Sequence, residues 1–430
     1  MRLSKNYWKL WSAHGISNLG DGVSSIAYPW LASAVTRSPL LIALVAVASR
    51  LPWLVFTLPA GVITDRFDRR KIIIAMDIAR GILALIVAIA VTLEVKNLPN
   101  LNSITGGIDL ETNWNIYLVL VITALLFGCA EVLRDNAAQT LLPSVVEEEQ
   151  LESANGKLWS VEFLTNSLLG PMLGTMIISV AIFMPFYFDA ATFFISAALI
   201  FLLVQLHPIQ TIQVQNSKTS FSKELKEGFV WLWRHELLRN MAIILGILNL
   251  VGSIMTAVFI LFAQEILKTS VLVFAILGTA GAVGGTIGGA IGPKISKKLG
   301  SGASLSLTLI TMPLTSLIIG LTSSWQLLWF LTAISTVAAV LWNVITVSLR
   351  QSIIPKEILG RVNSVYRFFG WGSIPIGALI GGALVSFVDT FASRELALRA
   401  PYFLAFLLGL VTFIVAAPKL TTKRIESVRK

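Results

Sequence analysis

Gly61-Val62-Ile63-Thr64-Asp65-Arg66-Phe67-Asp68-Arg69-Arg70-Lys71 stands between two apolar runs, Leu40 to Val62 and Ile72 to Thr92, and concentrates charge where both are otherwise hydrophobic. The upstream run carries Arg50 and the downstream run Asp77 and Arg80. A bilayer core about 30 Å thick is crossed by about 20 helical residues. Both runs meet that length. Two spans joined by so short a charged segment are antiparallel neighbours, and the segment is their hinge at the membrane surface.

The same pattern extends over the chain. Of 430 residues, 55% are hydrophobic and 13% charged, with a mean hydropathy of +0.80, whereas soluble domains carry about 25% charged residues. Apolar stretches of spanning length fall at 13–35, 40–62, 72–93, 115–142, 157–182, 187–206, 240–266, 271–292, 303–321, 325–348, 364–387 and 398–417. None alternates with the period of two that marks barrel strands, so helices are expected. The fold class is an all-α membrane protein of twelve transmembrane helices in two six-helix bundles, 1–206 and 240–430, joined by a cytoplasmic linker at 207–239.

A net charge of +10 raises the question of nucleic acid, and the positions of the basic residues answer it. With an even number of spans and the N-terminus inside, Arg37, Lys96, Lys268, Arg394 and Arg399 fall outside, Arg50 and Arg80 fall within spans, and the remaining Lys and Arg gather inside. That bias predicts a multi-pass plasma (inner) membrane protein with both termini cytoplasmic and its basic surplus facing anionic lipids, with no role for nucleic acid. Asn18 and Asp21 in the first span and the lack of a small-residue cleavage site argue against a removed signal peptide. Cys129 lies in the fourth span and has a packing role.

The linker, His207 to Asn240, is the longest polar stretch in the middle of the chain. Its second part, Phe221 to Leu238, sets Leu225, Phe229 and Leu232 against Lys223, Lys226, Glu227 and Arg234 at helical spacing. Either an amphipathic helix on the inner membrane face or a solvated linker helix fits that pattern.

The two halves repeat one another. Gly61 precedes Asp65-Arg66 by four residues, as Gly289 precedes Pro293-Lys294, and Lys297-Lys298 follow where the first half has Arg69-Arg70. A second correspondence runs from Leu142-Pro143 through Ala154-Asn155 to Gly170-Pro171 and Gly174, against Ile354-Pro355 through Val362-Asn363 to Pro375 and Gly381-Gly382. Internal repeats of this kind underlie alternating access in transporters. With Gly61, Asp65, Arg66, Arg69 and Arg70 in the hinge between spans two and three, the chain resembles the major facilitator superfamily. Asn18-Leu19-Gly20-Asp21-Gly22, Asp77-Ile78-Ala79-Arg80 and Glu131 through Pro143 are similar to the branch of enterobactin exporters and macrolide-efflux proteins.

Charges at bilayer depth cost roughly 2.5–3.5 kcal/mol on insertion scales, so each needs a partner or a purpose. Asp21 is about 12 Å deep and Arg50 about 15 Å deep from the opposite side, at about 1.5 Å per residue, and Arg80 reaches a similar height. Asp21 is therefore a candidate protonation site, its charge captured and released by Arg50 or Arg80, because desolvation favours the protonated acid and a nearby cation favours the carboxylate. A static ion pair that fixes helix packing is the alternative. Glu131, Arg134 and Asp135 share one helical face. The resemblance places span four on the central cavity and implies that Glu131 meets a cationic substrate or a proton; equally, Arg134 neutralises both acids. Glu162 and Arg367, near inner ends, belong to the cytoplasmic gate or face headgroups.

Arg66, Arg69, Arg70 and Lys71 satisfy the positive-inside rule without further purpose, but Asp65 and Gly61 are not needed for topology. The resemblance implies that Asp65 pairs with Arg69 and rests against a helix N-terminus in the other half, latching the inner gate. Its second-half counterpart, at Gly289 and Lys294, has Pro293 in place of the acid. In span five, Gly170, Pro171 and Gly174 match the family's antiporter motif, while Asn166 and Thr175 replace its other glycines. Such a motif gives a bend where the halves touch. Span eight is dense in glycine, with Gly278, Gly281, Gly284, Gly285, Gly288, Gly289 and Gly292 leaving one face nearly bare for a close helix contact, sliding or static.

His14, His207 and His235 have no metal-binding spacing and read as interfacial anchors. No phosphate-cradling Gly-Lys-Ser/Thr loop is present, so no cofactor is expected and ATP is not the energy source. No nucleophile and base stand at matched depth, which argues against an enzyme. The expected function is a proton-coupled exporter of small amphipathic molecules of drug or siderophore type, an antiporter conferring drug resistance. Import, or lipid and lysolipid translocation, is the alternative within the fold, and a non-transporting sensor the alternative outside it. Expected partners are the small-molecule substrate, protons and membrane lipids around a monomer. Tyr28, Trp30, Trp53 and Trp342 suit a ring-bearing cargo, and equally suit interfacial anchoring.

Overall fold

Side-chain caps mark where the helices begin. Ser4, Ser38, Asp68, Asn113, His235, Ser324 and Ser393 each accept a hydrogen bond from a first-turn backbone N–H, satisfying donors that the helix itself leaves free. The computed structural model describes residues 3–99, 104, 110–142, 145–147, 150–203, 221–355 and 358–429. In chain order the helices are α1 Lys5–Val35, α2 Pro39–Val55, α3 Thr57–Arg66, α4 Arg69–Leu93, α5 Trp114–Leu141, α6 Leu151–Glu162, α7 Gly170–Val180 and α8 Met184–Phe201. Then come α9 Phe221–Arg234, α10 Glu236–Thr256, α11 Val271–Leu299, α12 Ser301–Leu321, α13 Trp325–Ile353, α14 Leu359–Val388, α15 Arg394–Ala416 and α16 Thr422–Arg429. They form two compact units, 1–217 with 269–275, and 218–268 with 276–430.

Among the described residues ten helices are long and apolar enough to cross a membrane. Two of the twelve expected spans fall short of that standard. Span one is a 31-residue helix diluted by Asn18, Asp21 and its serines. Span two breaks at Phe56 into α2 and α3, because Pro59 has no N–H for the Val55 carbonyl, while Thr57 Oγ1 bonds the Trp53 carbonyl at 2.5 Å. On α4, Ile78, Ile82, Ile86, Ile89 and Leu93 are exposed at helical spacing, a face suited to lipid, and Asp77, Arg80, Ala84, Val87 and Val91 are buried opposite.

The hinge segment is mostly helix. The backbone of Gly61 to Arg66 completes α3, and only Phe67 and Asp68 separate it from α4. The second-half counterpart is not a loop: α11 runs unbroken through Gly289, Pro293 and Lys294 to Leu299, and the turn follows at Gly300, where φ is +82°. Pro293 sits in the helix at an exposed position.

Each unit has its own core and its own tight helix crossing. In the first, Tyr7, Leu10, Ile73, Leu141, Val145 and Ile200 cluster, and the Tyr7 hydroxyl donates to the Ala154 carbonyl at 2.9 Å. In the second, Leu238, Met241, Trp342, Val365 and Tyr366 cluster with Leu420 and Ile425 of the C-terminal segment. A Cβ on Gly170 would lie 2.5 Å from the Gly22 Cα, and one on Gly174 would lie 2.8 Å from the Val23 carbonyl oxygen, so α7 rests on α1 backbone to backbone. The second unit repeats this with Gly377 and Gly381 of α14 against the Leu250 and Ile254 carbonyls of α10, each 2.3 Å from a built Cβ. Close approach of bare backbone is how apolar helices gain packing where no hydrophobic force draws them together. The amphipathic α9 packs on α14, with Leu232 buried, Glu227 bonded to Arg361 at 2.6 Å, and Phe229 and Trp233 stacked near Phe369.

Candidate functional site

The glycines of Asn18-Leu19-Gly20-Asp21-Gly22 set the geometry around Asp21. A Cβ on Gly20 would meet Thr192 Oγ1 and Asp189 Oδ1 of α8, and one on Gly22 would lie 2.6 Å from the Asn166 carbonyl oxygen. The backbone of α1 is thus held on two sides, against α8 and against the π-helical stretch Phe163–Leu169 that joins α6 to α7. A π-helical stretch is uncommon and often accompanies function. Asp21, between the two glycines, meets Arg80.

Arg80 is the centre of the site. It is 1% exposed, and its Nη2 donates to Asp21 Oδ1 at 2.5 Å while Nη1 donates to Ser17 Oγ at 3.4 Å and lies 3.7 Å from Asp77 Oδ1. Its guanidinium also lies 4.6 Å from the ring centroid of Phe127 and 4.1 Å from that of Phe193, a cation–π clamp from α5 and α8. Asp77, fully buried, accepts from Ser196 Oγ at 2.7 Å and stands 3.4 Å from Arg134 Nε. Arg134 continues the chain: its Nη1 lies 3.5 Å from Asp135 Oδ1 and 3.3 Å from His14 Nδ1, and His14 Nε2 is 3.1 Å from Glu162 Oε2. With Nδ1 accepting from a guanidinium, a neutral His14 carries its proton on Nε2 and donates to Glu162. Five helices, α1, α4, α5, α6 and α8, are joined by one polar line.

Several sequence-predicted residues lie elsewhere. Arg50 is exposed and does not meet Asp21, whose partner is Arg80. Arg134 reaches Asp135 and Asp77 rather than neutralising Glu131; Glu131 is half-buried and lies in the field of Arg80, Asp21, Asp135 and Arg50. Glu162 is bound by His14 rather than a gate or a headgroup, and His14 is a link in the network rather than an interfacial anchor. Arg367 lies over the Trp371 ring at 5.8 Å. Trp30 and Trp342 are 0% and 2% exposed, so neither offers a face to cargo in this structure.

In the hinge, the side chains of Gly61, Asp65 and Arg66 lie outside the described residues. Asp68 caps the N-terminus of its own α4, its Oδ1 accepting from Arg70 N at 2.9 Å and Lys71 N at 3.4 Å. Arg69 occupies the first position of α4. Arg70 caps α8: its Nε donates to the Ile200 carbonyl at 3.1 Å, its Nη2 to that of Phe201, and the Lys9 Nζ donates to the Leu202 carbonyl at 2.6 Å. These cations answer the carbonyls and negative pole of a helix C-terminus. Lys294 is exposed. Gly170, Pro171 and Gly174 bring α7 onto α1 within their own unit. On α11, Gly284 and Gly288 meet α13 closely, while Gly278, Gly281, Gly285 and Gly289 have nothing within 4 Å of a built Cβ, so the glycines divide between two faces rather than serving one.

The reading from sequence missed Asp189, the lone acid of span six. It is 0% exposed, with Ser24 Oγ donating to its Oδ2 at 2.6 Å. Its isolation in an apolar run is the signal that marks it. By contrast, the described ion pairs of the second unit, Arg361–Glu227, Arg394 with Glu265 and Asp389, Arg399–Glu395 and Arg424–Glu236, fall near helix ends or on surface helices. Among the described residues most of the buried charge lies in the first unit, with Arg399 the buried exception in the second.

Residues 3–429 match the family described as transmembrane secretion effector. Among curated relatives, the uncharacterized MFS-type transporter YfiS of Bacillus subtilis is 26% identical over 239 residues, 55% of this chain and 51% of that one, so the alignment spans about half of YfiS. The multidrug efflux pump Tap of Mycobacterium tuberculosis is 24% identical over 385 residues, 89% of this chain and 87% of Tap. The macrolide efflux protein A of Streptococcus pyogenes is 23% identical over 391 residues, 87% and 89% of the two chains. A bacterial homologue of the iron transporter ferroportin shares the fold, with a TM-score of 0.71 at 17% identity over 97% of this chain and 100% of that one.

Proposed function

Because the chain belongs to the transmembrane secretion effector family of the major facilitator superfamily, we propose that it is a proton-coupled exporter of small amphipathic molecules, working by alternating access in the plasma membrane as a monomer with both termini cytoplasmic. A multi-pass membrane transporter of small molecules, rather than an enzyme, is the premise. The efflux pumps among its relatives support export of drug-like cargo.

One observation carries the coupling. Asp21 has 22% of its side chain exposed and is bonded at 2.5 Å to a guanidinium that is 1% exposed. A carboxylate open on one side and held on the other by a buried cation has two competing states. Held by Arg80 it is ionised; protonated from the open side, it releases Arg80 to Asp77. The proton thereby changes the force between α1 and α4. Tightly packed helices convert a local change into a shift between discrete arrangements.

Dye transport in inverted vesicles tests this. With an imposed proton gradient, the wild type moves dye and stops when an uncoupler collapses the gradient, and Asp21→Asn loses the gradient-driven component. Full proton dependence in Asp21→Asn overturns the assignment of Asp21. Transport indifferent to the uncoupler overturns proton coupling altogether.

A further inference from the structure

Asp189 is a further carboxyl in the same unit, and it lacks the bonded cation that Asp21 has in Arg80. It is wholly buried. One oxygen accepts from Ser24, and the other, Oδ1, has no hydrogen-bond partner among the described residues. Nor does any described Lys, Arg or His nitrogen come within 4.0 Å of it, whereas Asp77, equally buried, has Arg80, Arg134 and Ser196. The effective penalty for burying an unpaired carboxylate is several kcal/mol, and such a group takes up a proton instead.

The surroundings supply a route for exchange. Asp21, Ser24 and Tyr28 lie at i, i+3 and i+7 on α1, hence on one face, and Ser24 touches Asp189 while Asp21 touches Arg80. The titratable groups acting on Asp189 are Asp21 and Tyr28 from α1 and Arg80 from α4; α7 contributes none. Asp21 and Arg80 both act electrostatically on Asp189.

We infer that Asp189 is a proton-carrying residue of this transporter, holding a proton in this structure and exchanging it with Asp21 beside Arg80. In the exchange the Asp189 O–H bond breaks, leaving a carboxylate, and the proton forms an O–H bond on Asp21, leaving Arg80 to Asp77 and the new charge. One proton over two carboxyls conserves the charge of the buried cluster. The role in transport rests on the proton-coupled reading above; the protonation itself does not.

Infrared difference spectroscopy on the purified full chain in lipid separates the two. A protonated-carboxyl C=O band at neutral pH is expected in the wild type and in Asp21→Asn. It is lost in Asp189→Asn and displaced in frequency in Ser24→Ala, which removes the one hydroxyl on the group. A band identical in wild type and Asp189→Asn overturns the inference. Should Asp189→Asn fail to accumulate, Ser24→Ala decides: a displaced band supports the inference and an unmoved one overturns it. If dye movement ignores the proton gradient while the band is present and Asp189-dependent, the coupling reading falls and the proton-binding residue stands.

Discussion

Replacing Gly170 with Ala puts one methyl group where α7 meets α1, and the structure sets the size of the result. That Cβ would lie 2.5 Å from the Gly22 Cα and 2.7 Å from the Thr165 carbonyl oxygen, whereas carbon atoms pack at about 3.5–4.0 Å. Both neighbours are backbone, so no rotamer change relieves the clash, and the helices must part by about 1 Å. Overpacking of this kind costs about 1–3 kcal/mol. Gly281→Ala is the matched control, since nothing lies within 4 Å of its built Cβ, and alanine gains up to about 1 kcal/mol of helix propensity there. Both variants share that propensity gain, so they should differ by the overpacking alone, about 1–3 kcal/mol. Thermal unfolding in detergent, followed by tryptophan fluorescence, reads this as a fall of roughly 4–8 °C for a loss of about 2 kcal/mol in a unit of this size. A Gly170→Ala protein that melts at or above the wild type would refute the claim that backbone contact sets the spacing of α1 and α7, and with it the placement of Asp21.

Two further outcomes follow from other contacts. Asp77→Asn leaves Arg134 and Arg80 short of a shared buried anion and should cost about 3–5 kcal/mol, seen as a sharp loss of folded protein in membranes, while Asp135→Asn, at a less buried acid, costs less. His235 caps α10 by accepting from Leu238 N at 3.4 Å, and burial holds its imidazole below the usual histidine range; the neutral ring is the folded form, so its stabilisation is complete above about pH 6.5 and is lost as pH falls through the lowered folded value. Melting temperatures measured across that range should drop toward acid in the wild type and flatten in His235→Gln.

The membrane class and most of the spans were legible because apolarity over about 20 residues is a local property. The first two spans were harder for opposite reasons: polar residues dilute one, and Pro59 breaks the other. Asp68 was one acid in a charged run, and only the helix boundary at Arg69 shows that it caps α4. Depth along the axis paired Asp21 equally with Arg50 and Arg80, because sequence gives height but not the azimuth that decides which cation meets the acid. The link from Arg134 through His14 to Glu162 joins three helices, and no spacing within one helix encodes it. Asp189 was visible in principle, as an acid alone among apolar residues, but its meaning came from the hydroxyl and the glycine that face it from another helix.

The two rings on Arg80 have a mechanical consequence. Phe127 and Phe193 hold the guanidinium in a vice formed by α5 and α8, so the cation is an anvil and not a hammer: when its bond to Asp21 opens, the recoil passes to α1. Because α1 is seated on α7 through Gly22 and Gly170, the recoil is handed on to the segment beyond the π-helical turn. Arg80→Lys would keep the charge and lose the vice, turning a stiff linkage into a slack one.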